Sequence, residues 1–180
     1  DAESLNQQVD VALYHAKHEG RGRHSFFDPS LTETLRERRQ LEQDLRRACM
    51  RDEFEVHFQP VLDTKTRKFI GAEALVRWKS ADRGEVPPTV FIPVAEELGL
   101  VSHIGALVLD KACEQAVTWP EDITVAVNVS PLQFSLANLG HVVCTALMQT
   151  GLSPNRLELE ITEAALLKDR KATLIILNQL

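Results

Sequence analysis

The stretch FIGAEALVRW at residues 69–78 has the composition of a β-strand, with β-branched and other apolar residues around a single carboxylate. Because side chains alternate along a strand, one face carries Gly71, Glu73, Leu75 and Arg77. A carboxylate and a guanidinium therefore point the same way. This arrangement suits a metal ion beside a phosphate, and it equally suits an inward-facing ion pair that only stabilises the fold.

Further along the chain, NVS at residues 128–130 and ELEITE at residues 158–163 bring polar side chains to other apolar, β-branched runs. Oxygen donors gathered at strand ends predict a site for a hard metal ion. Other interpretations stay open, since Asn128 and Ser130 before Pro131 are also typical of a turn and a helix cap. Glu158 and Glu160 would also fit a half-solvated strand.

Strands and helices alternate in the second part of the chain. The patterns predict strands at 55–62, 69–78, 123–129 and 156–161, and helices at 91–119 and 136–150. This alternation is typical of a parallel α/β fold with right-handed connections.

The first part of the chain is predicted to be mostly helical. Apolar spacing indicates a helix over residues 4–17, with Ser4 as N-cap and Gly20 ending it. Residues 26–29 predict a short edge strand or docking segment, broken by Pro29. A densely charged connecting helix with a thin apolar stripe is expected from residue 31 to 50.

Composition limits the functional classes. A chain of 180 residues with 44% hydrophobic and 26% charged residues is globular, and its net charge of −6 argues against binding a nucleic-acid polymer. The 3 cysteines are far apart, which predicts reduced, buried thiols and a cytoplasmic location. No apolar run is long enough to cross a bilayer, although segments outside this chain could anchor a parent protein.

Together with FQP at 58–60 and FIPVAEELGL at 91–100, the motifs above make residues 41–180 resemble the EAL family of cyclic-di-GMP phosphodiesterases. The resemblance implies a modified (β/α)8 TIM-type barrel whose first strand is antiparallel to the rest, with about half of it present. DVALYHAKHEGRGR at 10–23 resembles the closing helix of a GGDEF domain. We therefore expect a GGDEF remnant at 1–28, a linker helix at 29–50 and the first half of an EAL domain at 51–180.

The resemblance implies hydrolysis of cyclic-di-GMP to linear pGpG with Mg²⁺ or Mn²⁺. It assigns metal binding to Glu73, Asn128 and Glu160, and it gives Glu163 the bracing of an active-site loop. Gln59 and Arg77 resemble substrate-contacting residues, the latter at a phosphate. Leu75 and Pro93 would line the guanine pocket, although Pro93 would also suit the first turn of a helix.

The family's adjacent aspartates, its lysine and its later glutamate would follow residue 180. We therefore expect this 180-residue chain alone to be inactive and a longer parent to be active. A half-barrel exposes strand edges, so further residues or a homodimer through the EAL domain should complete it. An upstream GGDEF or sensory domain is expected, without an assigned cyclase activity. The alternatives are a non-catalytic cyclic-di-GMP receptor and a protein-interaction module.

Overall fold

A computed structural model describes residues 2–18, 22, 24–135 and 139–161. The chain forms two compact units, divided between Asp44 and Leu45. This division lies inside a helix that spans Pro29–Arg51, whereas the sequence placed domain boundaries at 28 and 50. The limits of the functional domains therefore stay a prediction.

The first unit contains helix α1 (Ala2–His18) and most of helix α2 (Pro29–Arg51). Both predicted helices are confirmed, but α1 begins before Ser4, which is therefore not its N-cap. Gly20, expected to end α1, lies outside the described residues.

Of the two interpretations of residues 26–29, the edge strand is wrong, and the docking segment stays a prediction. Residues 24–28 have no regular structure, and Pro29 is the first residue of α2. The Asp28 carboxylate accepts a hydrogen bond from the Ser30 N–H at 2.8 Å, as a helix N-cap does. Hydrogen bonds from Ser30 hold the pKa of the Asp28 carboxyl below its usual range. The proline that was expected to break a strand instead starts a helix, because position N1 needs no N–H donor.

The second unit is built on one sheet. Its strands are β1 (Phe54–Leu62), β2 (Phe69–Ser80), β3 (Gly84–Val86), β4 (Thr124–Val129) and β5 (Leu157–Ile161). The strand order is β1-β2-β4-β5, with β3 paired to β2. As predicted, β1 is antiparallel to β2, and β2, β4 and β5 are parallel. The short hairpin strand β3 was not predicted; the left-handed Gly84, at φ 72°, begins it.

Helices α3 (Pro88–Glu97), α4 (Val101–Val117), α5 (Pro131–Ser135) and α6 (Leu139–Thr150) connect the strands. The single helix predicted at 91–119 is wrong, because Gly99 ends α3 with φ 70°. The N–H of Leu100 donates to the Ala95 carbonyl and that of Gly99 to the Glu96 carbonyl, which forms a Schellman motif. Helix α3 also begins earlier than predicted, with a proline, Pro88, in its first turn.

The core of the second unit lies between one face of the sheet and the helices. Phe54, Trp78 and Phe91 are fully buried and touch one another with ring centroids 5.7–6.1 Å apart. Removing their apolar area from water stabilises the unit. The opposite face of the sheet is polar and carries the predicted site.

The thiols are all free, as expected, but not all are buried. Cys113 is buried on α4, Cys49 is half-buried, and Cys144 is exposed on the outer side of α6. Burial raises the pKa of the Cys113 thiol to about 11. Among the described helices, none is both long enough and apolar enough to pass through a membrane.

Candidate active site

The pairing of the strands brings the predicted metal ligands to one face of the sheet. Gln59 on β1 lies directly opposite Glu73 on β2, and Asn128 on β4 lies beside Glu160 on β5. Glu73 pairs with Ala126, so Asn128 follows two residues later on the same face. Neighbouring strands are roughly 4.8 Å apart, so Glu73 lies next to residues of β1 and β4, whereas Glu160 on β5 is one strand further away.

Glu73 and Asn128 are in direct contact. The Asn128 Nδ2 donates a hydrogen bond to the Glu73 Oε1 at 2.6 Å. A cation bound between the two residues would replace this hydrogen bond, and the amide oxygen of Asn128 would then face the cation in place of the nitrogen. Glu73 is half-buried, whereas Asn128 and Glu160 are exposed on the polar face. The contact places two of the predicted ligands at one point.

The donor set fits a hard divalent cation. Glu73 and Glu160 supply carboxylates, Asn128 supplies an uncharged oxygen, and no described cationic side chain forms an ion pair with either glutamate. Within residues 2–18, 22, 24–135 and 139–161, no three His, Cys, Asp or Glu side chains cluster as a metal site. The predicted set contains an amide, so that absence does not bear on it.

A cavity of about 310 Å³ lies between the sheet and the helices and reaches Asn128, whereas Glu73 and Glu160 are not among the residues that line it. Strands β2 and β4 pair only as far as Ala74 and Val127, and beyond that point β2 pairs with β3 instead. The cavity occupies the resulting gap and is lined by Leu75, Arg77 and Asn128 together with residues of α3, α4 and α5. Two predicted substrate contacts and one predicted ligand thus share one concave surface.

The ion pair between Glu73 and Arg77, left open by the sequence, is absent from the described structure. The Arg77 Nη1 instead donates to the Val76 carbonyl at 2.9 Å. Arg77 therefore lines the cavity without an ion pair to the site carboxylate.

The alternative interpretation of the NVS motif holds for one of its residues. Ser130 caps α5, because its Oγ accepts from the Leu132 N–H at 3.3 Å while its own N–H donates to the Gln133 Oε1 at 2.8 Å. Asn128 takes no part in this cap and points to Glu73.

The EAL domain family model matches residues 42–180. The chain belongs to the EAL domain family. It is 48% identical over 179 residues to an uncharacterized signaling protein of Caulobacter vibrioides. This alignment covers 99% of this chain and 22% of that protein. It is 42% identical over 176 residues to the bifunctional diguanylate cyclase/cyclic di-GMP phosphodiesterase MucR of Pseudomonas aeruginosa, covering 96% of this chain and 26% of MucR.

A solved structure of the PaMucR phosphodiesterase in complex with c-di-GMP matches with a TM-score of 0.74 and 42% identity, over 78% of this chain and 58% of that one. This match confirms the fold class, a partial EAL barrel whose first strand is antiparallel. The chain spans about a quarter of the length of these curated relatives, with 22% and 26% covered.

The structure does not bring the remaining predicted residues of the EAL site together with Glu73 and Asn128. Pro93 is exposed on α3 and is not among the residues that line the cavity. It lies inside the helix, so the suggested first-turn role is wrong; Pro88 has that place. Glu158 pairs with Ala126 of β4 and lies two residues before Glu160 on the same face of β5. Glu163 lies outside the described residues, and the roles of all these residues remain predictions.

The sequence patterns did not predict two further polar residues of β1 on the face of the EAL site. His57 lies opposite Leu75, and Glu55 opposite Arg77, so both share the face of the site. Lys79 approaches Glu55 to 2.6 Å, and its hydrogen bond holds the pKa of the Glu55 carboxyl below its usual range. Counting back by twos from Gln59 along β1 would have found them.

Proposed function

We propose that the protein carrying this EAL chain hydrolyses cyclic-di-GMP to linear pGpG in a reaction that needs Mg²⁺ or Mn²⁺. The observation that supports this most is that Glu73, Asn128 and Glu160 share one sheet face, with Asn128 hydrogen-bonded to Glu73 and lining a cavity that Arg77 also lines. Relatives in the same family include proteins named as cyclic di-GMP phosphodiesterases.

In this proposal the chain's own residues bind and orient. Glu73, Asn128 and Glu160 would hold the metal ion, which when bound would polarise a phosphoryl oxygen and lower the pKa of a coordinated water. Arg77 would neutralise a substrate phosphate with paired N–H donors. Leu75 would contact the guanine base, and Gln59 would offer its amide next to Glu73. Pro93 and Glu163 keep their predicted roles at the pocket and the active-site loop.

The test uses the full-length protein with Mg²⁺ or Mn²⁺ and separates cyclic-di-GMP from pGpG by chromatography. Because it removes a charged ligand, Glu73→Gln should lower turnover roughly 100-fold or more. Glu121→Ala, an exposed charge in the loop before β4, is the matched control and should be unchanged. Hydrolysis that persists in the Glu73 variant would contradict the proposal.

Binding without turnover by the wild-type full-length protein would instead favour a receptor. A homodimer through the EAL domain and an upstream GGDEF or sensory domain are further proposals. The oligomeric state of the full-length protein, measured by light scattering with and without cyclic-di-GMP, tests the first of them.

A further inference from the structure

The motif at residues 91–100 marks the EAL family, yet the proposed chemistry uses only Pro93 from it. The structure gives its Glu96 a specific contact. Glu96 is half-buried on α3 and lines the cavity next to the site. The Ser130 Oγ donates a hydrogen bond to the Glu96 Oε1 at 2.5 Å. A hydroxyl bound to a carboxylate at this distance is a strong, charge-assisted contact.

Ser130 is held from a second side by α5. Its N–H donates to the Gln133 Oε1 at 2.8 Å. Gln133 in turn packs against Gly105 of α4, where an added Cβ would overlap the amide nitrogen and lie 2.8 Å from its Cδ. The absence of a side chain at position 105 therefore gives Gln133 the room to reach Ser130. The turn after β4 is fixed by α3 on one side and by α4 and α5 on the other.

This turn needs such support because the sheet gives it only one neighbour. On the β2 side, the pairing of β4 ends at Val127, whereas on the β5 side it continues to Val129. Asn128 is the first residue of β4 without a partner on β2, and among described residues its amide is held by Glu73 alone. The backbone direction at Asn128 is thus set partly by Ser130, two residues later.

We infer that Glu96 is a positioning residue, which holds Asn128 at the metal site by fixing Ser130. The inference rests on the proposed metal-dependent function. It links two motifs that are far apart in the sequence: one carries a ligand, and the other carries the carboxylate that anchors the turn behind it. Groups behind a metal ligand orient it, and their loss typically weakens metal binding 10- to 100-fold.

The experiment measures Mn²⁺ binding to the full-length protein by electron paramagnetic resonance, with thermal unfolding in parallel. Glu96→Ala should weaken Mn²⁺ binding about tenfold. Glu96→Gln retains an oxygen that accepts from Ser130, and it should stay within about threefold of wild type. Glu114→Ala, which removes an exposed glutamate from α4, is the charge-matched control and should bind Mn²⁺ as wild type does.

Kinetics give a second readout that a general loss of stability would not produce. In Glu96→Ala the metal concentration for half-maximal hydrolysis should rise, while KM for cyclic-di-GMP at saturating metal changes less than about twofold. Should Glu96→Ala not fold, Ser130→Ala removes the same hydrogen bond together with the Oγ cap of α5, and it should weaken Mn²⁺ binding at least as much.

The outcomes separate this inference from the proposed function. Unchanged Mn²⁺ affinity in both Glu96→Ala and Ser130→Ala overturns it, and so does an equal loss in Glu114→Ala. Mn²⁺ binding that responds as expected in a protein that does not hydrolyse cyclic-di-GMP supports the inference and refutes the proposed function. A wild-type protein that binds no Mn²⁺ overturns the inference, whatever the hydrolysis assay shows.

Discussion

The two faces of the β1-β2-β4-β5 sheet are made from alternating residues of the same strands, and they differ in nearly every physical property. The face toward the helices is apolar and closed to water, with Phe54, Trp78, Val125 and Val127 at 0–2% exposure. The other face is open and polar, and it carries Gln59, Glu73, Asn128 and Glu160.

The difference shows that stability and the proposed activity depend on different residues, often on direct neighbours in sequence. Burial of the apolar face stabilises the fold. On the polar face, Glu73 and Glu160 have no cationic partner among the described residues, which is what a cation site requires. Substitutions at adjacent positions should therefore affect different properties: stability on the apolar face and turnover on the polar face.

The largest effect is expected at Trp78. Trp78→Ala removes a fully buried ring and its hydrogen bond to Glu53, and should lower the free energy of unfolding by about 3–5 kcal/mol. Chemical denaturation of the full-length protein measures it. Lys79→Ala, at the next and exposed position, is the control and should change stability by less than about 1 kcal/mol. Equal losses in both variants would contradict the division between faces.

Asn128 and Val127 are adjacent residues on opposite faces of β4, so substitutions at both test the comparison of the two faces directly. Asn128→Ala should lower hydrolysis roughly 100-fold with little change in stability, because an exposed ligand is lost. Val127→Ala should lower stability by about 2 kcal/mol, because a residue at 2% exposure leaves a cavity, and the folded protein should keep its turnover. Turnover and denaturation are measured on both. A large loss of turnover in folded Val127→Ala would contradict the division of roles between the two faces.

A smaller effect is expected at Gly99, where the chain leaves α3. Gly99→Ala forces a side chain into the left-handed region at φ 70° and should cost about 1–2 kcal/mol of stability. The added Cβ meets no atom within 4 Å, so the cost is conformational and not steric. Turnover at saturating substrate and metal should be retained. A neutral effect on stability would show that α3 ends differently in solution.

The smallest perturbation is chemical labelling of the thiols. The pKa of Cys113, raised to about 11 by burial, keeps this thiol protonated at pH 8, so it should react at least about tenfold more slowly than the exposed Cys144. Mass spectrometry after iodoacetamide treatment measures the ratio. In denaturant the two rates should become similar, and a fast native reaction at Cys113 would mean that the apolar layer opens.

Much of this organisation was predictable. Alternation along 69–78 placed Glu73 and Arg77 on one face, and the strand predicted at 123–129 corresponds to β4, with Asn128 one residue before its end. The helices were predicted less well. Periodicity continued through Gly99 because the apolar positions on both sides of it follow the same spacing, and only the left-handed backbone shows that α3 ends there. The start of α2 was missed because Pro29 is compatible with both a strand break and a first helical turn.

By itself, the sequence determined which residue types carry oxygen donors, on which strands they lie and which face each occupies, since side-chain alternation is a local property of an extended backbone. Only the tertiary structure decided that Glu73 meets Asn128, that β2 parts from β4 after Ala74 to open a cavity, and that Glu96 reaches Ser130. Those contacts depend on strand register and helix packing between segments that are far apart along the chain. No local pattern encodes either of them.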